Sequence, residues 1–390
     1  MRMNAGQTFN FFPIPTDIHF GPGLLKSLPA HVKALGTEKA FLVTDPGLRA
    51  AGILDRVTGL LAANAIGFEV CDRGKPDSSS TLLDSAAREV KQSGAGVVIG
   101  IGGGSSLDSS KAIAALATNP GSCTDYVGMN KVRNRPLPII AIPTTAGTGS
   151  EVTYWSIFTE EARGLKLAIG SFLIYPTIAL CDPELTLNLP PALTASTGMD
   201  ALAHAIECCT NNACSPISRA LAIDAVELIG RHLRSAVLNG GNIESRYGMM
   251  LASTMAGMAM NPTRLGLAHA LAMPLGSWDL HVPHGMVLAI LLPRVMEFNY
   301  LAEPDRFVEV ARALGQQVDG MTVLEGARLA VEAVRALARD VGIPPTMASF
   351  GLQERHVKPV LEEAMKSGNI PVNPRKASAA DVERVLRSIL

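Results

Sequence analysis

Short apolar runs alternate with longer amphipathic stretches along the first half of the chain. Four apolar runs are AFLVTD (40–45), GVVIGIGGG (96–104), PIIAIPTT (138–145) and TIALCDP (177–183). Runs of this length that are apolar at nearly every position are typical of strands buried on both faces. The stretches 80–93 and 106–117 predict helices, so the alternation predicts a mostly parallel α/β sheet with crossover helices.

The pattern changes after NLPPALTAS (188–196). Apolar residues then recur at helical spacing with little strand character, which predicts helices over 197–235, 243–260, 304–315 and 321–341. We therefore expect an α/β domain over 1–185 and an all-α domain over 186–390. Ligands are expected at the carboxyl ends of the parallel strands.

Composition excludes several classes of protein. The 390 residues are 47% hydrophobic and 18% charged, enough for a large core. Net charge is −1, so no general field attracts nucleic acid or anionic lipid. No signal-peptide or membrane-spanning run is present, which favours a cytoplasmic protein with no nucleic-acid or membrane partner. The six cysteines contain no C-x-x-C pair and are interpreted as buried thiols.

The run at 96–104 ends in glycines, and with Ser105 and Ser106 it opens a helix, which places bare backbone N–H groups at a helix N-terminus. That arrangement suits a phosphate. As a G-x-G-x-x-G motif it is incomplete, because Ser105 stands at the sixth position, and a tight turn is an equal interpretation. Lys111 lacks the register of a P-loop, which disfavours ATP chemistry.

Asp45 ends an earlier predicted strand. A carboxylate there can accept hydrogen bonds from a ribose 2′-hydroxyl and repel a 2′-phosphate, which favours NAD over NADP. The alternative is an N-cap or turn residue, since Pro46 and Gly47 follow.

Asp200 and His204 are four residues apart, so on a helix they project from one face. His269 and His284 add two imidazoles in the same predicted helical domain. One carboxylate and three imidazoles suit Fe(II) or Zn(II), whereas Mg or Ca sites need more oxygen ligands. Each histidine taken separately is also compatible with a structural role.

Five motifs together carry a resemblance. They are GGGSSLDSSKAI (102–113), PTTAGTGSEVT (143–153), DPELT (182–186), GMDALAHAIE (198–207) and HALAMPLG with PHG (269–285). The chain resembles the iron-containing (group III) alcohol dehydrogenases through nearly its whole length, ending at NPRKAS (373–378). The resemblance implies a Rossmann-like dinucleotide-binding domain, a helical domain of dehydroquinate synthase-like architecture, and a metal in the cleft between them.

The resemblance also assigns residues. The implied metal ligands are Asp200, His204, His269 and His284. The implied dinucleotide-binding residues are Asp45, Gly103, Gly104, Ser105, Asp108, Thr144, Thr145 and Thr148.

The implied function is metal-dependent, NAD(H)-linked interconversion of a small primary alcohol and its aldehyde, by a homodimer that uses Fe(II) or alternatively Zn(II). The cation would stabilise developing charge on the substrate oxygen during hydride transfer. Alternatives are a maleylacetate reductase-like or hydroxyacid dehydrogenase activity, and, in a different class, a non-catalytic NAD-binding protein.

Two departures from the family concern chemistry. Met273 stands where the family commonly has a histidine near the nicotinamide, and methionine cannot exchange a proton. His281 lies in a loop that is about one residue longer than the resemblance suggests. We hypothesise that His281 replaces the missing acid/base group; a solvent-facing loop histidine is the alternative.

A third departure concerns the substrate. Arg264 stands where relatives that use neutral alcohols usually have a small residue, and we expect it to face the cleft. A guanidinium there would recognise a carboxylate, sulfonate or phosphonate, in a pocket shaped by Trp155, Met260 and Asn369. The alternative is a salt bridge to a nearby carboxylate.

Overall fold

The computed structural model describes residues 9, 11, 14–75, 78–276, 280 and 282–390. The strands of this part of the chain are β1 (Asp17–Phe20), β2 (Lys39–Val43), β3 (Gly67–Cys71), β4 (Val97–Gly102), β5 (Gly128–Met129), β6 (Ile139–Pro143), β7 (Trp155–Glu160), β8 (Leu165–Gly170) and β9 (Ile178–Cys181).

Helices lie between the strands and then make up the rest of the described chain. They are α1 (Leu28–Ala34), α2 (Pro46–Ala50), α3 (Ile53–Ala63), α4 (Ser80–Ser93), α5 (Gly104–Thr118), α6 (Pro191–Thr210), α7 (Pro216–Leu238), α8 (Ile243–Thr263), α9 (Leu267–Leu275), α10 (His284–Asn299), α11 (Pro304–Ala313), α12 (Val323–Asp340), α13 (Glu354–Ala364) and α14 (Ala379–Arg387).

Six strands form one parallel sheet in the order β1-β9-β6-β4-β2-β3. Strand β4 is buried at all six positions, because helices cover both faces of a doubly wound sheet. The expected α/β domain followed by a helical domain is confirmed. The position of the boundary, at residue 185, stays a prediction.

A smaller sheet in the order β5-β8-β7 was not anticipated. Its strands β7 and β8 form an antiparallel hairpin through the exposed turn at 161–164. Both strands are only partly buried, so their sequences WSIFTE and LKLAIG lack the continuous apolar signal that identified the main sheet. The expectation of a mostly parallel sheet therefore holds for the main sheet, whereas the smaller sheet is mixed, with β5 parallel and β7 antiparallel to β8.

The helical stretch expected over 197–235 is divided into α6 and α7. Pro216 begins α7, and the Ser215 hydroxyl accepts a hydrogen bond from the backbone N–H of Ser218, so a new N-terminus forms there. Almost every residue of α6 is buried, which places this helix at the centre of the helical domain.

The six cysteines are all buried and unpaired, as the sequence predicted. Among the helices of the described part of the chain, none combines the length and apolar character needed to cross a membrane.

Lys111 ties α5 to the smaller sheet from inside the protein. Its fully buried ammonium donates to Ser150 Oγ at 2.7 Å, Thr153 Oγ1 at 3.0 Å and the carbonyl of Trp155 at 2.8 Å. Burial lowers the pKa of Lys111, and Asp108, 3.2 Å away, opposes that effect. These contacts hold the segment 150–157 against α5.

We predict that Lys111→Met destabilises the protein by about 3 kcal/mol, since it leaves Asp108 and three polar groups short of a partner. Urea unfolding measures this change. Lys33→Met, at an exposed position of α1, is the control and should shift stability by less than about 0.5 kcal/mol. Equal effects of the two substitutions would contradict the prediction.

Candidate metal centre and dinucleotide cleft

The carboxyl ends of β2, β4 and β6 meet at one edge of the main sheet, and a glycine turn lies at its middle. Gly102 has φ +147°, and a Cβ there would lie 2.6 Å from Ser106 Oγ. Gly103 is the N-cap of α5, and no side chain caps this helix start. The start of α5 is therefore a candidate position for an anion at the edge of the sheet.

The threonine loop that follows β6 packs directly on this turn. Thr144 donates its N–H to the carbonyl of Gly102 at 3.0 Å. A Cβ on Gly104 would lie 2.6 Å from Thr148 Cγ2, and one on Gly103 would lie 3.4 Å from Thr145 Cγ2. The structure thus brings these predicted dinucleotide residues together, and glycine is needed for the close approach.

Asp45 lies beside them, at the end of β2. Its Oδ1 accepts from the N–H groups of Gly47 at 2.8 Å and Leu48 at 3.2 Å, so the N-cap interpretation is correct. Its Oδ2 lies 3.4 Å from Ser106 Oγ on α5. The half-exposed carboxylate therefore also borders the glycine turn, where the ribose interpretation requires it.

Asp108 points into the protein. It accepts from Ser150 Oγ at 2.5 Å, Ile157 N at 2.9 Å and Lys111 Nζ at 3.2 Å. These bonds give Asp108 a structural role in positioning the loop that carries the threonines. A direct contact with the dinucleotide stays a prediction. Ser105, half-buried in the first turn of α5, accepts through its carbonyl from Ser109 Oγ.

Three of the four predicted metal ligands converge. One ligand atom each from Asp200, His269 and His284 lies within 4.8 Å of the others. His204 borders this group: its Nε2 is 3.6 Å from Asp200 Oδ1, and its ring stacks on His269 with centroids 4.6 Å apart. These side chains come from α6, α9 and the first residue of α10.

Three atoms of this cluster are buried without a hydrogen-bond partner among the described residues: Asp200 Oδ1, His269 Nε2 and His284 Nδ1. An unpaired buried polar atom is unfavourable by about 1–3 kcal/mol, so three in one place indicate a group that satisfies them together. A carboxylate oxygen and imidazole nitrogens are suitable donors for Fe(II) or Zn(II). The residues present fit a divalent metal.

The other imidazole nitrogens contact neighbouring groups. His269 Nδ1 lies 2.6 Å from Glu207 Oε2, and His204 Nδ1 lies 3.2 Å from the carbonyl of Gly147 in the threonine loop. The sequence reasoning missed Glu207. Its spacing was a usable signal, because positions 200, 204 and 207 share one face of a helix.

The charges of the cluster shift its pKa values. Burial opposes ionisation of Asp200, yet the surrounding imidazoles hold its pKa well below the usual range. Burial lowers the pKa of His284 to about 3. Burial also opposes protonation of His269, but Glu207 and Asp200 raise its pKa to about 9. Asp200 is therefore ionised and His284 neutral at pH 7, which are the forms that bind a metal, whereas His269 must lose a proton before it can bind one.

Comparison with known proteins agrees with this geometry. The iron-containing alcohol dehydrogenase model matches residues 15–183, and the model of the C-terminal domain of the same family matches residues 194–390. The chain belongs to the iron-containing alcohol dehydrogenase family. It is an oxidoreductase of that family, whose members use NAD(H) and a divalent metal.

Relatives cover almost the whole chain. Choline dehydrogenase of Bacillus subtilis is 38% identical, covering 96% of this chain and 94% of that protein. Sulfoacetaldehyde reductase of Bilophila wadsworthia is 36% identical, covering 97% and 98%. The crystal structure of a 1,3-propanediol oxidoreductase superposes with a TM-score of 0.95 at 35% identity, covering 98% of this chain and 100% of that one.

Two positions that the sequence motifs predict to depart from the family pattern, Met273 and His281, belong to the segment around α9. Met273 is half-buried on α9, four residues after His269. His281, the proposed substitute for the missing histidine, lies outside the described residues, so its acid/base role stays a prediction.

Arg264 ends α8 in an unusual backbone conformation. Its φ of 60° and ψ of −168° fall in a region that is essentially restricted to glycine. The conformation is held because its carbonyl accepts from Thr263 Oγ1 at 2.8 Å and from Asn211 Nδ2 at 3.2 Å. A residue other than glycine is held here despite the backbone strain, which supports a role for the arginine side chain.

The Arg264 side chain is exposed, and its guanidinium lies against Gly368, where a Cβ would collide with it. Across the described residues, no carboxylate pairs with this guanidinium. Its charge acts on Tyr154, the neighbour of Trp155 in the predicted pocket. Asn369 is also adjacent, accepting at 3.5 Å from the N–H of Leu265.

We predict that Arg264→Gly stabilises the protein by about 1 kcal/mol, because relief of backbone strain exceeds the added entropy of glycine in the unfolded chain. Arg264→Ala keeps the strain and should give no gain. Urea unfolding of both variants measures the difference. Stability that falls equally in the two variants would contradict a strained backbone at this position.

Proposed function

We propose that this protein catalyses metal-dependent, NAD(H)-linked hydride transfer between a small primary alcohol and its aldehyde. The observation that carries the proposal is the cluster of three buried, unpartnered ligand atoms on Asp200, His269 and His284. The cluster lies next to the threonine loop through the contact of His204 with Gly147. The candidate metal cluster and the candidate dinucleotide edge are thus adjacent, as hydride transfer would require.

Asp200, His204, His269 and His284 would hold the metal, with Fe(II) the proposed ion and Zn(II) the alternative. When bound, a divalent cation supplies a Lewis acid that stabilises negative charge developing on the substrate oxygen. The protein orients the reactants and excludes water around the buried cluster. Met273 cannot carry the proton, so the proton would pass through water, a ribose hydroxyl or His281.

The sheet edge would bind the dinucleotide. N–H groups of Gly103, Gly104 and Ser105 face the place for a pyrophosphate, and Thr144, Thr145 and Thr148 border the path beyond it. Asp45 would accept from a ribose 2′-hydroxyl and repel a 2′-phosphate, which selects NAD. A homodimeric assembly stays a prediction.

Removal of the metal tests the function. We expect that chelation abolishes NADH oxidation with small aldehydes and that Fe(II), added anaerobically, or Zn(II) restores it. His269→Ala should not be restored, whereas His356→Ala, in the first turn of α13 and outside the cluster, should behave as wild type. Binding of NADH without turnover of any aldehyde by metal-loaded protein would instead support a non-catalytic NAD-binding protein.

We further propose an anionic aldehyde as the substrate, with Arg264 as its anchor. The support is an exposed guanidinium in a strained backbone position, with no carboxylate partner among the described residues. A relative named sulfoacetaldehyde reductase has an anionic substrate, although choline, named for another relative, is a cation. The named relatives therefore differ in the charge of their substrates. In this protein, residues such as Arg264 would determine which charge is accepted.

Arg264→Gly should lower kcat/KM for sulfoacetaldehyde by about 10- to 100-fold, because one charge-assisted interaction is lost. For propionaldehyde the same variant should change kcat/KM by less than twofold. Steady-state NADH oxidation measures both, with Arg339→Ala, at an exposed position of α12, as the control. An equal loss for both aldehydes would return Arg264 to a purely structural role.

A further inference from the structure

One buried carboxylate connects two of the helices that carry the candidate metal ligands. Glu207 lies on α6 with 3% of its surface exposed. Its Oε1 accepts from Ala268 N at 2.7 Å, and its Oε2 accepts from Gly266 N at 2.9 Å. Oε2 also lies 2.6 Å from His269 Nδ1. Three donors of one segment thus converge on a single side chain of another helix.

The start of α9 depends on these contacts. Its N-cap, Gly266, has no side chain to satisfy the first N–H groups of the helix. Glu207 satisfies two N–H groups of this segment, and Asn373 Oδ1 accepts a third, from Leu267 at 3.2 Å. A Cβ on Gly266 would lie 2.7 Å from Glu207 Oε1, so glycine is required for the carboxylate to reach the backbone. A negative charge at a helix N-terminus is also favourable.

Glu207 and Asp200 leave α6 on the same face, two turns apart. Asp200 Oδ1 lies 3.8 Å from His269 Nε2, on the opposite side of the ring from Glu207. The imidazole of His269 is therefore held between two carboxylates of one helix. In the neutral ring, which metal binding requires, Nδ1 donates its proton to Glu207 and the lone pair of Nε2 faces Asp200 and His284.

We propose that Glu207 is a positioning residue for the metal centre: it fixes the tautomer and ring orientation of His269 and sets α9 against α6. The proposal rests on the metal centre of the proposed function. Glu207 would not contact the metal. If Glu207 only capped α9, its substitution would change the stability of the protein alone. If Glu207 positions His269, its substitution also changes the affinity for the metal and the geometry of the ligands.

The test uses Glu207→Gln in the full-length protein, stripped of metal and titrated with Co(II). Glutamine keeps the shape but offers one acceptor oxygen to three donors, so its amide N–H₂ would face another donor. We expect the Kd for Co(II) to rise about 10- to 100-fold and the visible absorption of bound Co(II) to shift. A chromophoric chelator in competition reports the Kd.

Glu151→Gln is the matched control. Glu151 is as deeply buried, at 2%, and its carboxylate accepts from Thr254 Oγ1 at 2.8 Å, away from the histidines. We expect this variant to keep the Kd and the Co(II) spectrum of wild type. If Glu207→Gln does not fold, Glu207→Asp replaces it; a shortened carboxylate should weaken Co(II) binding at least fivefold without loss of charge.

The outcomes separate the two proposals. Wild-type protein that binds no Co(II) would overturn the metal centre and, with it, the role of Glu207. Wild-type binding together with an unchanged Kd and spectrum in the Glu207 variant would overturn the positioning role alone. Weaker binding with an altered spectrum, absent in Glu151→Gln, would support it.

Discussion

Every buried polar atom needs a partner, and this constraint organises the helical domain around one face of α6. Asp200, His204 and Glu207 recur on that face at spacings of four and three residues. Glu207 and His204 find their partners in α9 and in the threonine loop, so they fix where those segments lie. Asp200 keeps an unpartnered oxygen. The same helix therefore supplies both the scaffold of the site and one of its three unsatisfied ligand atoms.

At the candidate dinucleotide edge of the main sheet, close packing determines how the loops are arranged. Strands β4 and β6 are neighbours, so the glycine turn and the threonine loop emerge side by side. Threonine side chains occupy the space that side chains on Gly103 and Gly104 would fill. Lys111 and Asp108, buried behind this edge, keep the loop in place. The candidate metal cluster and the threonine loop then meet through the contact of His204 with the carbonyl of Gly147.

The sequence predicted secondary structure best where the pattern of apolar residues continued without interruption through an element. Apolar runs identified β2, β4, β6 and β9, and helix α4 has the bounds that its pattern predicted. The hairpin of β7 and β8 was missed because its strands are half-exposed and mixed in polarity.

For the site, long motifs identified the candidate ligands, and the fold brings three of them within 4.8 Å. Glu207 was missed because its role depends on the N-terminus of α9, which is remote in sequence. The backbone conformation of Arg264 was equally hidden, since residue type alone predicts no positive φ for arginine. The hydrogen bonds of Asp108 with Ser150 and Lys111 could not be predicted either, because these residues meet only through the packing of α5 on the segment 150–157.

Asp45 illustrates how one side chain can restrict evolution. Its carboxylate caps α2 through Gly47 and Leu48, and the same group would exclude a 2′-phosphate. A change of cofactor preference from NAD to NADP would require a residue at position 45 that has no charge but keeps an oxygen to accept from those N–H groups. Asparagine, serine and threonine meet both conditions, whereas apolar residues would leave those N–H groups without their acceptor, at about 1 kcal/mol. The accessible routes between cofactors are therefore few, and local helix stability sets them.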